Sequence, residues 1–231
     1  MISTVLPPHT VSSYDHDLHV LRSIVGQMGA LSESQLTAAL DAVAERDGEA
    51  AAAVVALDSR IDALQNEAER AAVSIFSRHS PLADDLREVL AAFKIAGWLE
   101  RVGDYAKNIA RRAAVLAELP EVPLVEDVER LGDLAKHLLR TALAAHLDRD
   151  LELAAEVVSG DISIDAEYEQ LFGALVASVE SDPGSAAATT HLQLVAKTLE
   201  RIADQATNIA EQVTFAVTGA PIPPRGRTTG A

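Results

Sequence analysis

The sequence carries one pattern twice. Residues 99–110 read LERVGDYAKNIA and residues 199–210 read LERIADQATNIA, identical at eight of twelve positions. Upstream, RDGEAAAAVVALDSRID (46–62) matches RDLELAAEVVSGDISID (149–165) at ten of seventeen. A pattern that returns after about a hundred residues is the mark of a duplicated structural unit. Packing alone preserves apolar character between copies, not particular acids. The acids kept in both copies are Asp58/Asp161, Asp62/Asp165, Glu100/Glu200 and Asp104/Asp204. They are the first residues to consider for function.

The unit is helical. Aromatic residues make up only 3% of the chain while 48% is hydrophobic, a balance that suits close-packed helices better than sheet. Proline-containing breaks and Asp-led helix starts place helices at 12–46, 48–79, 84–117, 124–148, 150–181 and 186–217. The expected fold is therefore all-α, with six helices in two tandem pseudo-symmetric three-helix bundles. Residues 1–119 form the first unit, 120–218 the second, and the Gly- and Pro-rich segment 219–231 a disordered tail.

Apolar seams give each helix an inner face. In the third helix the seam is Leu99, Val102, Ala106, Ile109, Ala113 and Leu116. In the sixth it is Leu199, Ile202, Ala206, Ile209, Val213 and Ala216. The alternating steps of three and four are those of heptad packing. The second helix offers Val54, Leu57, Ile61, Leu64, Ala68, Ala71 and Ile75, and the fifth Leu153, Val157, Gly160, Ile164 and Leu171. Glu100, Asp104 and Asn108 fall off the seam as one outward stripe, repeated by Glu200, Asp204 and Asn208.

An antiparallel hairpin about Pro81 would bring four carboxylates level. Asp62 lies nineteen residues before Pro81 and Glu100 nineteen after; Asp58 and Asp104 are each twenty-three away. In the second copy Asp165 and Glu200 lie eighteen and seventeen residues from Pro183, and Asp161 and Asp204 twenty-two and twenty-one. Antiparallel helices pack about 8–10 Å apart, so both rows can reach one groove. Four like charges there call for a cation, and all-oxygen ligands favour hard ions such as Mg²⁺, Mn²⁺, Ca²⁺ or iron. Asn108 and Asn208 are possible outer ligands. The competing reading is plain surface chemistry. A single i, i+4 acid pair costs only about 0.2–0.5 kcal/mol, and Arg101 and Arg201 could pair with neighbouring acids.

The remaining composition excludes several classes. A net charge of −16 opposes nucleic-acid binding and a polybasic membrane anchor. No uncharged apolar run reaches membrane-spanning length, and the N-terminal MISTVLPPHTVSS lacks the plan of a secretory signal. There are no cysteines, so disulfides and thiolate metal sites are ruled out, as is cysteine catalysis. No nucleophile triad or phosphate-cradling glycine loop is present, and no enzyme is expected.

These residues resemble the PhoU family, regulators of phosphate uptake and phosphate-starvation signalling in bacteria. The resemblance rests on DSRIDAL (58–64), SPLADDLREVLAAFKIAGWLERVGDYAKNIA (80–110), DISID (161–165) and LERIADQATNIAE (199–211). It implies multinuclear metal clusters on paired (E/D)xxxD motifs, which Asp58–Asp62, Glu100–Asp104, Asp161–Asp165 and Glu200–Asp204 match. The implied ions are iron, zinc, magnesium or manganese. The implied partners are the ATPase subunit of the high-affinity phosphate ABC transporter and a membrane sensor histidine kinase. The implied role is negative regulation of phosphate uptake and of the starvation response, by a cytoplasmic protein that reaches the inner membrane through its partners. A homodimer is expected. Two alternatives stand beside it: a metal-free helical adaptor, and an iron-storage or di-metal carboxylate protein. The chain departs from the pattern where SDPGSAAATTHL replaces SPLADDLR, and where Ala203 stands opposite Gly103.

Overall fold

Two Arg-Asp corners show how the duplicated sequence sets its own breaks. Arg46 and Arg149 both take the left-handed backbone conformation, at φ 55° and 56°, and each ends a helix. The aspartate that follows caps the next helix. Asp47 accepts hydrogen bonds from the amides of Glu49 and Ala50 at 2.8 and 3.0 Å. Asp150 does the same for Glu152 and Leu153 at 2.7 and 3.1 Å. Such a cap contributes about 1 kcal/mol to a helix start.

The structure is a computed structural model that describes residues 8–220. Its helices are α1 (Pro8–Ala44), α2 (Gly48–Ala56), α3 (Asp58–His79), α4 (Ala83–Leu116), α5 (Val125–Asp148), α6 (Leu151–Ser181) and α7 (Ala186–Thr218). A 3-10 turn, Pro183–Ser185, joins α6 to α7, and no strand occurs among the described residues. All six expected helical segments are present. From residue 221 onward, the tail expected at 219–231 lies outside the described residues.

One expected helix is interrupted. The 48–79 segment breaks at Leu57, between α2 and α3. The second copy supplies the reason. Gly160 occupies the place of Leu57, inside an unbroken α6, and a Cβ there would lie 2.6 Å from Leu138 Cδ2. The outer helix can run straight past its neighbour only where the side chain is missing. Leu57 has a side chain, is 44% exposed, and leaves the seam on which it was expected. The α3 seam is instead carried by Ile61, Ala68, Ala72 and Ile75, all fully buried.

Helices α1, α3 and α4 form the first bundle, with α2 lying over α1 and α4; α5, α6 and α7 form the second. The bundles are not separate. Helix α4 packs along α7 and α1 against α5, giving an inner layer of four helices flanked by α2–α3 on one side and α6 on the other. One apolar cluster runs through both halves, and every residue of the Leu99–Leu116 and Leu199–Ala216 seams is buried in it.

The contact between halves is reciprocal. A Cβ on Gly29 would lie 2.7 Å from Leu143 Cδ2, and a Cβ on Gly132 would lie 2.8 Å from Leu40 Cδ1. The 103-residue offset that relates Asp58 to Asp161 also relates Gly29 to Gly132 and Leu40 to Leu143. Each half offers a glycine hole to the other's leucine, which is the geometry of a two-fold interface folded into one chain. Gly29→Val and Gly132→Val should each destabilise the protein by about 1–3 kcal/mol through overpacking. Leu143→Ala should relieve the first and leave the second unrelieved, as measured by urea denaturation of the single and double variants.

A carboxylate row on each hairpin

The register of the two hairpins decides whether the acids come level. A Cβ on Gly97 would lie 4.0 Å from the Gln65 amide nitrogen. In the second half, Lys197 Nζ sits 5.0 Å from the centre of the Tyr168 ring. Gln65 and Tyr168 lie three residues after Asp62 and Asp165, while Gly97 and Lys197 lie three before Glu100 and Glu200. Both hairpins therefore hold the register that levels the acids.

The individual carboxylates are not equivalent. Asp58 is the first residue of α3, directly after the break. Asp62 is exposed one turn later, and Glu100 is half-buried on α4. Asp104 accepts from Lys107 Nζ at 3.1 Å. In the second half Asp161 accepts from Thr207 Oγ1 at 3.1 Å, which ties α6 to α7. Asp165 is exposed. Glu200 pairs with Lys197 at 2.8 Å, and Asp204 is half-buried. Asn108 is exposed and accepts from Arg111 Nη1 at 3.4 Å; Asn208 is half-buried.

The donors are all oxygen, and one is left over: Glu200 Oε2 is buried with no hydrogen-bond partner. Such an atom fits a hard cation. Yet among the described residues no three His, Asp or Glu side chains are gathered closely enough to hold an ion. The acids stand at level positions along the helices, not in a closed cage. Lys107 and Lys197, one turn from Asp104 and Glu200, supply positive charge among them. Arg101 and Arg201, the candidates from sequence, are exposed. The lysine pairs and Thr207 were missed at the sequence level. The i, i+3 spacing of each lysine from its acid was the available signal.

Fold and site together define an internally duplicated, all-helical protein with a matched acidic row on each half. A family model described as the PhoU domain matches it twice, at residues 25–113 and 128–213. The chain belongs to the PhoU family. It is 44% identical over 219 residues to the phosphate-specific transport system accessory protein PhoU homolog of Zymomonas mobilis subsp. mobilis, covering 95% of this chain and 92% of that one. It is 45% identical over 212 residues to the protein of the same description from Caulobacter vibrioides, covering 91% and 92%. The crystal structure of PhoU from Pseudomonas aeruginosa superposes with a TM-score of 0.87 at 33% identity, covering 90% of this chain and all, 100%, of that one. The phosphate transport system regulatory protein PhoU from Streptococcus pneumoniae gives 0.82 at 26% identity, covering 92% and 100%.

Proposed function

We propose that this protein is an accessory regulator of phosphate transport that represses uptake and the phosphate-starvation response when phosphate is plentiful. The observation that carries this reading is similarity along nearly the whole chain to proteins named for that accessory role. The protein acts as an adaptor, in the cytoplasm, between the ATPase of a high-affinity phosphate transporter and a sensor histidine kinase. No helix among the described residues is long and apolar enough to cross a membrane. The protein reaches the membrane through those partners. Metal ions on the two carboxylate rows complete the adaptor surface, and two copies associate.

A second reading has its own support. Lys107 and Lys197 sit on Asp104 and Glu200 as built-in cations, which favours an adaptor that works without metal. The di-metal carboxylate reading is weaker. Such sites place acids inside the bundle, and the buried polar residues described here are Ser, Thr and Gln, with no carboxylate among them.

Deleting the gene should raise expression of phosphate-starvation genes in phosphate-rich medium, with the rise depending on the sensor kinase. A deletion strain with normal phosphate-gene expression and unaltered uptake would remove the support for regulation. The acidic chain should bind basic patches on its partners, and pull-down yield should fall as salt rises, since exposed charges are screened beyond about 10 Å at 0.1 M. Salt-independent capture would argue for apolar docking instead.

A further inference from the structure

A cavity of about 170 Å³ lies where the two halves meet, between α1, α4, α5 and α7. Its polar wall is Arg22, Glu88, His146 and Arg149, and its apolar wall includes Leu147 and Val213. Both oxygens of Glu88 are gripped. Arg22 bonds Oε1, and Arg149 Nη1 donates to Oε2 at 2.7 Å. The arginine side chains stay 48% and 39% exposed while the Glu88 side chain between them is only 14% exposed. Two fixed positive charges therefore face one carboxylate, in a chain whose net charge is −16. His146 beside them is held down at about 4, first by burial and then by the two arginines.

The architecture does not need this charge set. The internal two-fold carries Arg22, Glu88 and His146 onto Val125, Ala188 and Val43. The three counterparts are apolar, with Val43 and Ala188 each 1% exposed, while His191 stands opposite Ala91, so the other end keeps a histidine but has no carboxylate in the place of Glu88. Only the arginine is common to both ends. Arg46, the counterpart of Arg149, turns to the backbone carbonyls of Ala117 and Leu119 at the end of α4. Partly buried ion networks are seldom superior to apolar packing in stability, and the other end of the same chain does without a carboxylate in the place of Glu88 or a second arginine in the place of Arg22. Two guanidiniums closing on the two oxygens of one anion is instead the geometry of carboxylate and phosphoryl recognition.

We propose that this cavity is a binding site for a small anion with a carboxylate or phosphoryl head, and that Glu88 is the internal anion it displaces from Arg22 and Arg149. The head takes the guanidiniums, and Leu147 and Val213 receive any short carbon arm. Displacement frees α4 from α5 at the seam between halves, so occupancy of the cavity is coupled to how the halves meet. Anion binding here stands whether or not the protein regulates phosphate transport.

Titration calorimetry of the full chain at low ionic strength, with inorganic phosphate and separately with butyrate, tests this. Saturable one-site binding of either probe is expected. Phosphate alone marks a phosphoryl ligand, and butyrate alone a carboxylate with a carbon arm. Glu88→Gln, which keeps the volume and removes the competing charge, should tighten binding about tenfold, and Arg22→Gln or Arg149→Gln should weaken it by at least about tenfold. In the unaltered chain the His146 ring resonance, identified by its loss in His146→Val, should move on adding the probe. That reading holds even if an arginine variant fails to fold. Absence of both heat and His146 shift in the wild type and Glu88→Gln would overturn the proposal. So would binding that both arginine variants leave unchanged.

Discussion

Replacing Glu100 and Asp104 together by alanine should remove roughly half of the metal bound by the purified protein, because each half carries a full row of hard oxygen donors. Glu200→Ala with Asp204→Ala should remove the rest. The two rows lie on opposite flanks of the inner layer, α3–α4 and α6–α7, and share no residue. Each pair should therefore act alone and the losses should add. Metal analysis of the wild type and both double variants reads this directly. Unchanged content in both would sink the assignment of metal to these acids. A wild type that binds none at saturating Mn²⁺, Fe²⁺ or Zn²⁺ would favour the lysine-capped, metal-free adaptor. Lys107→Met and Lys197→Met should then leave the acids uncompensated and lower stability.

Acidification should weaken the fold well before the carboxylates titrate. The His146 pKa falls from an ordinary 6.5 to about 4 in the folded chain. Above pH 6.5 neither state is protonated there and the stability is intact. Below it the unfolded chain binds a proton that the folded chain refuses, and stability falls until about pH 4, where the folded ring also accepts one. The loss has an upper limit of about 3 kcal/mol for this residue, reduced because part of the ring reaches water. His191 is pushed the same way, by burial and then by Arg112. Asp17 behaves differently. Its hydrogen bond with His79 holds its carboxyl below the usual range, so its contribution is lost only at still lower pH, as the folded group protonates. Urea denaturation from pH 7 to 4.5 should show the slope, and His146→Val, which copies Val43 at the matching position, should flatten it. An unchanged slope in that variant would refute the assignment.

Much of the fold was legible because heptad spacing is a strong signal. Leu99 to Leu116 and Leu199 to Ala216 are buried as read. The hairpin register was legible too, because it depends only on counting from Pro81 and Pro183. Leu57 was misread for a physical reason. Its spacing from Val54 and Ile61 fits a seam, but whether a side chain fits there depends on how closely α1 approaches, which the other copy reveals through Gly160. The carboxylate row was legible as a pattern, while its pairing with lysines was not. Lys107 and Lys197 stand on opposite sides of their acids along the chain and do not coincide under the repeat. The cavity between the halves was invisible for a related reason. Arg22 and Glu88 come from distant helices and have no charged counterpart in the other copy, and a reading built on repetition passes over whatever is not repeated.

The reciprocal leucine and glycine contacts also bear on how the chain reaches its native state. The hole at Gly29 is filled by Leu143, more than a hundred residues later, so synthesis exposes it long before its own filler exists. Contacts this distant close slowly. Until then the nascent first half presents a groove at Gly29 and a knob at Leu40 that are complementary to the same pair on a second nascent chain. Two-fold geometry, which makes the finished molecule self-sufficient, makes its unfinished first half a natural partner for its own copies. Rapid arrival of α5 and α7 is then what separates correct folding from pairing between chains on one message.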